Sequence, residues 1–176
     1  MHTILPHSLP DTASAPLRLD LPQRCSVRLP GYGYSRAGWY FVTIMVNGGK
    51  LLFGSFNESL QLYPTPLGEI VSRSWHELAA QYNAVHTDCW VLMPNHLHLL
   101  IGLLPTSSPK PLGQLVGAFK ATCTRQAQAW RGTGSVWQRS YHEHIIRTAQ
   151  ELEIYRDYVR NNPRRWVEKQ RSRQEQ

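Results

Sequence analysis

From Trp39 to Val46 every residue is aromatic, β-branched or methionine. Such a run predicts a buried strand, and Asn47-Gly48-Gly49 predicts the turn after it. Leu51-Leu52-Phe53 and Leu60-Gln61-Leu62 are short strand-like pieces. Pro66 to Tyr82 carries Ile70, Trp75, Leu78 and Ala79 at helical spacing. Val85 to Met93 reads as a second long strand. Pro94-Asn95 is turn-like, and His96 to Leu103 completes a hairpin. A Pro/Ser loop from Pro105 to Pro111 leads to a helix over Leu112–Trp130, with Leu115, Phe119 and Cys123 as its apolar stripe. Gly132-Thr133-Gly134 ends that helix, and Glu143 to Arg147 is a short strand.

The last helix has a legible start. Thr148-Ala149-Gln150-Glu151 is a capping box, with Thr148 as N-cap and Glu151 at N3. Pro163 predicts an end near Asn162, because proline disfavours helical geometry in the residue before it. Strand, helix, strand, strand, helix, strand, then an added C-terminal helix is the plan of an α+β, ferredoxin-like (split βαβ) antiparallel sheet. Its first and third major strands are central, and its two main helices share one face.

At 176 residues the chain suits one domain with tails. Residues 1–22, with Pro6, Pro10, Pro16 and Pro22, read as an extended tail. Residues 23–166 read as the domain and 167–176 as a basic tail. The net charge of +7 favours a polyanionic partner such as nucleic acid. Cys25, Cys89 and Cys123 form no disulfide framework, which suits a reducing, cytoplasmic setting. Neither a signal-peptide pattern nor a membrane-spanning stretch stands out.

The chemistry concentrates in Pro94-Asn95-His96-Leu97-His98-Leu99-Leu100. Strand alternation projects His96 and His98 to one side, where two imidazoles can hold a divalent metal. On the last helix Tyr158 and Asn162 are four residues apart and share a face. With Leu152, Tyr155 and Val159 as the buried stripe, Tyr158 falls at its rim. Asn162 can then lend an amide oxygen to the same metal. Such an ion keeps positions open for phosphate oxygens, and a tyrosine hydroxyl can attack the phosphate to leave a covalent phosphotyrosine. His142 and His144 also have strand spacing and compete as a metal pair. Tyr141 and Tyr155 compete as nucleophiles, although Tyr155 falls on the apolar stripe.

The histidine–hydrophobic–histidine segment resembles that of single-strand DNA nucleases and transposases. Arg28-Leu29-Pro30-Gly31-Tyr32, Trp39-Tyr40-Phe41-Val42-Thr43, Phe119-Lys120 and Trp137-Gln138 extend the likeness. So do His144-Ile145-Ile146-Arg147 and Tyr158-Val159-Arg160-Asn161-Asn162-Pro163. In order and spacing, from about Arg24 to Trp166, these resemble the REP-associated tyrosine transposases. The resemblance implies a metal-dependent nickase and strand transferase acting on single-stranded or hairpin DNA. It matches Tyr158 to the nucleophile, His96 and His98 to the metal pair, and Asn162 to the third ligand. Mg²⁺ or Mn²⁺ is implied, and two nitrogen ligands by themselves favour Mn²⁺. A monomer with its active site in one chain, working at the nucleoid, is the expected form.

Arg156, Arg160, Arg164, Arg165, Lys169, Arg171 and Arg173 outnumber the acids after Tyr155. Beside the nucleophile they are expected to contact phosphates, with Lys120, Arg125 and Arg131 extending the surface and His144 and Arg147 lining it. Trp137 and Tyr141 either stack on unpaired bases or belong to the core. Two rivals stand beside this reading: a non-catalytic hairpin-DNA binder, and a metal phosphodiesterase that uses water.

Overall fold

The structure, a computed structural model, describes residues 37–105, 110–131 and 135–174. The expected N-terminal tail, Cys25, the Arg28–Tyr32 motif, most of the Pro/Ser loop and the Gly132–Gly134 stop lie outside the described residues, as does the side chain of Arg131.

Four strands form one antiparallel sheet: β1 (Gly38–Met45), β4 (Val85–Met93), β5 (His96–Leu103) and β6 (His142–Ile146), in the order β4-β5-β1-β6. That is the split βαβ order, with β1 and β5 central as the pattern predicts. Ile44 stands opposite Leu97, Val42 opposite Leu99 and Tyr40 opposite Ile101. These six are buried in the main core with Leu67, Val71 and Trp75 of α1 (Pro66–Gln81) and Leu115, Phe119 and Cys123 of α2 (Leu112–Arg131). The stripe predicted on α2 is therefore its buried face. Trp137 and Tyr141 also belong to this core, which settles their role as packing.

The short strands lie two to three residues later than the hydrophobic pattern suggested: β2 (Gly54–Phe56) pairs with β3 (Leu62–Pro64) in a separate hairpin. Phe53 is fully buried under Trp137 instead of pairing, so its hydrophobicity serves the core. Thr65 caps α1, its hydroxyl accepting from the Gly68 N–H at 3.1 Å. Glycine is required at 68, because a Cβ there would stand 2.1 Å from the Phe53 carbonyl oxygen.

On the opposite face of the sheet lies α3 (Ala149–Gln174), against β4 and β5. The expected start holds: the Thr148 hydroxyl accepts from the Glu151 N–H at 3.1 Å, while the Glu151 carboxylate accepts from the Arg147 N–H at 2.8 Å. The expected end does not. Pro163 sits inside the helix, which continues to Gln174. A proline removes one i→i−4 bond. Trp166, half-buried against His96, gives the segment beyond it a packing contact that local propensity cannot register. Among the described residues no helix is long and apolar enough to cross a membrane.

Candidate metal centre and nucleophile

All eight residues of β5 are buried, because α1 and α2 cover one of its faces and α3 the other. His96 and His98 project to the α3 side. Their Nε2 atoms converge to 3.0 Å, the separation of two nitrogens each about 2.1 Å from one ion at right angles. Each ring is held from behind. His96 Nδ1 is 2.6 Å from Asn95 Oδ1, and His98 Nδ1 is 2.8 Å from the Thr43 hydroxyl. Asn95 is itself oriented, since its Nδ2 donates to the Gly49 carbonyl at 3.3 Å. Its Oδ1 can only accept, so the His96 proton resides on Nδ1 and the Nε2 lone pair faces His98. Burial pushes the His96 imidazole down to about 4. Burial, with the neighbouring His96 charge second, pushes His98 to about 3. Both rings are therefore neutral near pH 7, the form that binds metals.

Tyr158, Asn162 and Trp166 follow one another at four-residue spacing along α3, on the face turned to this pair. The Tyr158 ring packs edge-on to His98 at 5.4 Å, and the Trp166 ring lies 6.0 Å from His96. Asn162 is the buried residue between them, only 8% exposed. Phe41 closes the cluster, touching His98, Tyr155 and Tyr158 at 5.0, 4.6 and 5.6 Å. Tyr155, half-buried between Phe41 and His144, is a packing residue as its position on the stripe predicted.

Two neutral imidazoles facing one another suit a divalent cation. Among the described residues no group of three or more His, Cys, Asp or Glu can hold one, which leaves the two imidazoles, with Asn162 on the facing helix, as the candidate donors. The rival pair is arranged differently: His142 and His144 lie on the exposed edge strand β6, and His144 Nε2 is bonded to Glu151 while its ring stacks on Tyr155.

The expected phosphate contacts divide into exposed cations and half-buried cations held by partners. Arg160, Arg164 and Arg165 are exposed on α3; Arg160 makes a loose surface pair with Asp157 at 3.7 Å, and the Arg165 guanidinium lies 5.4 Å from the centre of the Tyr158 ring. Arg147 is exposed beside the start of the helix. Arg156 instead grips Asp88 through two bonds, at 2.6 and 2.8 Å, and also bonds Glu153. Asp88 is presented there by a bulge in β4, which re-aims one residue out of the ladder. Lys120, on the far side of the sheet, donates to the carbonyls of Gln138, Arg139 and Ser140. Burial lowers its ammonium to about 8, and those three acceptors oppose that loss. Arg125 is exposed on α2 near Lys120, away from Tyr158.

Sequence reasoning passed over Asn95, Thr43, Phe41 and Trp166 as parts of the site. Thr43 and Phe41 have a usable signal: both alternate onto the face of β1 that carries no core residue. For Trp166, the i+8 spacing from Tyr158 is the signal, hidden by the expected helix end.

The family description "Transposase IS200 like" matches residues 62–162, more than half of the chain. An uncharacterized protein of Haemophilus influenzae is 35% identical over 168 residues, covering 84% of this chain and 92% of that one. A second protein of the same organism, provisionally named a REP-associated tyrosine transposase, is 25% identical over 142 residues, 74% of this chain and 72% of its own. The fold is also that of a solved REP-associated tyrosine transposase bound to a REP hairpin, with a TM-score of 0.60 and 20% identity over 80% of this chain and 74% of that chain. With its four-stranded sheet and added helix, this chain belongs to the IS200-like transposase family.

Proposed function

We propose that the protein nicks and rejoins single-stranded or hairpin DNA, with Tyr158 as the nucleophile and His96, His98 and Asn162 as ligands of Mn²⁺ or Mg²⁺. The observation that carries this reading is the convergence of two neutral Nε2 atoms at 3.0 Å beneath the helix that bears Tyr158 and Asn162. In the proposed step the Tyr158 oxygen loses its proton and forms a bond to phosphorus. The P–O3′ bond breaks, and its electron pair leaves with O3′, which takes up a proton to become a hydroxyl. The 5′ phosphate stays on the tyrosine. When bound, the metal would neutralise charge on the non-bridging phosphate oxygens.

The chain's own groups do the rest. His98 and Phe41 fix the Tyr158 ring, and Arg165 sets positive charge over it, where an attacked phosphate would dock. Asn95 and Thr43 hold the imidazoles in register. Nucleophile and metal pair meet within one chain, which supports a monomer with a cis active site.

Labelled hairpin DNA incubated with the protein and Mn²⁺ is expected to give a protein–DNA adduct that survives denaturation. Tyr158→Phe should abolish it. An adduct that persists in that variant overturns the assignment, and Mn²⁺-dependent cleavage with no covalent species moves the chemistry to water.

A further inference from the structure

Beyond Pro163, α3 forms one wall of a cleft whose opposite wall is the β2–β3 hairpin. The cleft holds about 370 Å³, within the range of sites that bury a small ligand. Pro94 lines it next to the turn that leads into β5. Trp166 stands at the junction of two sites, bordering the cleft while its ring lies 6.0 Å from that of His96.

The two walls differ in charge. The helix wall offers Gln170 and Arg171, and the hairpin wall offers Phe56, Asn57 and Glu58. The hairpin is also pinned. The Phe53 N–H donates to the Pro94 carbonyl and the Thr65 N–H to the Phe53 carbonyl, both at 3.0 Å. The Thr65 hydroxyl donates to the Leu52 carbonyl at 2.6 Å. Asn57 Oδ1 accepts from the Gln61 N–H at 2.8 Å, which leaves Nδ2 as a donor on the rim. An aromatic platform, an acceptor and donors on one rim and a cation on the other match an unpaired nucleotide. Its base has a π-face and a hydrogen-bonding edge, and its phosphate is anionic. A phosphate alone would be repelled by Glu58, and a purely apolar ligand would leave the rim groups unused.

Resting on the strand-cleaving reading of the neighbouring centre, we propose that this cleft holds one unpaired nucleobase of the bound strand, adjoining the cleaved phosphate. The base stacks on Trp166, turns its edge to Asn57 and Glu58, and leaves its phosphate by Arg171.

The test uses the full chain carrying Tyr158→Phe, so that DNA stays intact. The probes are hairpins with a single-stranded extension that bears one abasic nucleotide at each successive position. One position is expected to weaken binding by about tenfold when its base is missing. Adding Trp166→Ala should remove that penalty at that position alone, and Trp166→Phe should keep most of it. Ser55→Trp, which fills the cleft from the exposed hairpin wall and leaves Trp166 in place, should remove it as well. An abasic profile unchanged by Trp166→Ala and by Ser55→Trp overturns the base site, as does a profile flat from the start. The same hairpins with Tyr158 intact report on the underlying reading. An adduct with a flat profile rejects the base site alone, whereas absence of any adduct rejects the strand-cleaving centre.

Discussion

Asn95 decides which nitrogen of His96 remains for a ligand, because its amide is turned by the Gly49 carbonyl so that only an acceptor faces the ring. Groups that orient a metal-binding imidazole in this way commonly contribute 10–100-fold to affinity. Asn95→Ala is therefore expected to weaken Mn²⁺ binding by about that factor in a calorimetric titration. Unchanged affinity would remove Asn95 from the site. The two histidines were legible in the sequence because strand periodicity alone puts them on one face. Asn95 was not, because its role depends on a carbonyl 46 residues away in sequence. The same distance effect hid the commitments of Arg156 and Lys120. A lone arginine on a basic helix reads as a phosphate contact until Asp88, 68 residues earlier, is found beside it.

At the scale of the element, α3 carries the burden of alignment. It is tied to β4 by Arg156 and Asp88, and started by Thr148 and Glu151. The Arg156 guanidinium, by hydrogen bonding first and by its charge, holds the Asp88 carboxyl below its ordinary 3.8. As pH falls through that value the unfolded chain takes up the proton first. The contribution of the pair is thus full above the ordinary value and lost as pH falls through the lowered one. Asp88→Asn should lower the thermal midpoint near neutrality and flatten the acid limb of stability against pH; a parallel acid limb would count against it. Pro163 offers the opposite experiment. An interior proline costs a helix about 3 kcal/mol relative to alanine. Pro163→Ala should raise stability in urea by roughly 1–3 kcal/mol, and a loss would mean that the packing of Trp166 depends on the proline. Helix and strand periods predicted where α1, α2, β4 and β5 lie. The length of α3 escaped them because a tertiary contact made by Trp166 outweighs the local signal of Pro163.

Over the whole molecule, exposed positive charge is densest along α3. Arg160, Arg164, Arg165, Lys169, Arg171 and Arg173 are exposed on α3, on the face of the sheet that holds the histidine pair. On the other face Lys120 is occupied by three carbonyls. Phosphate contacts displace counterions, so DNA affinity should fall steeply with salt. Arg164→Ala and Arg165→Ala should each reduce the slope of log affinity against log salt by about 1. Lys120→Met should leave that slope unchanged, with anisotropy titrations as the measurement; a smaller slope in Lys120→Met would extend the binding surface across the sheet. The strand that carries His96 and His98 has a further consequence. Amides in an element buried on both faces and hydrogen-bonded along both edges exchange with solvent only when the whole domain opens. The backbone of β5 meets both conditions, so it should rank among the slowest-exchanging segments. The His96–His98 pair would then be lost only on global unfolding, so an ion bound there should retard exchange across the entire sheet, in proportion to its concentration over its dissociation constant.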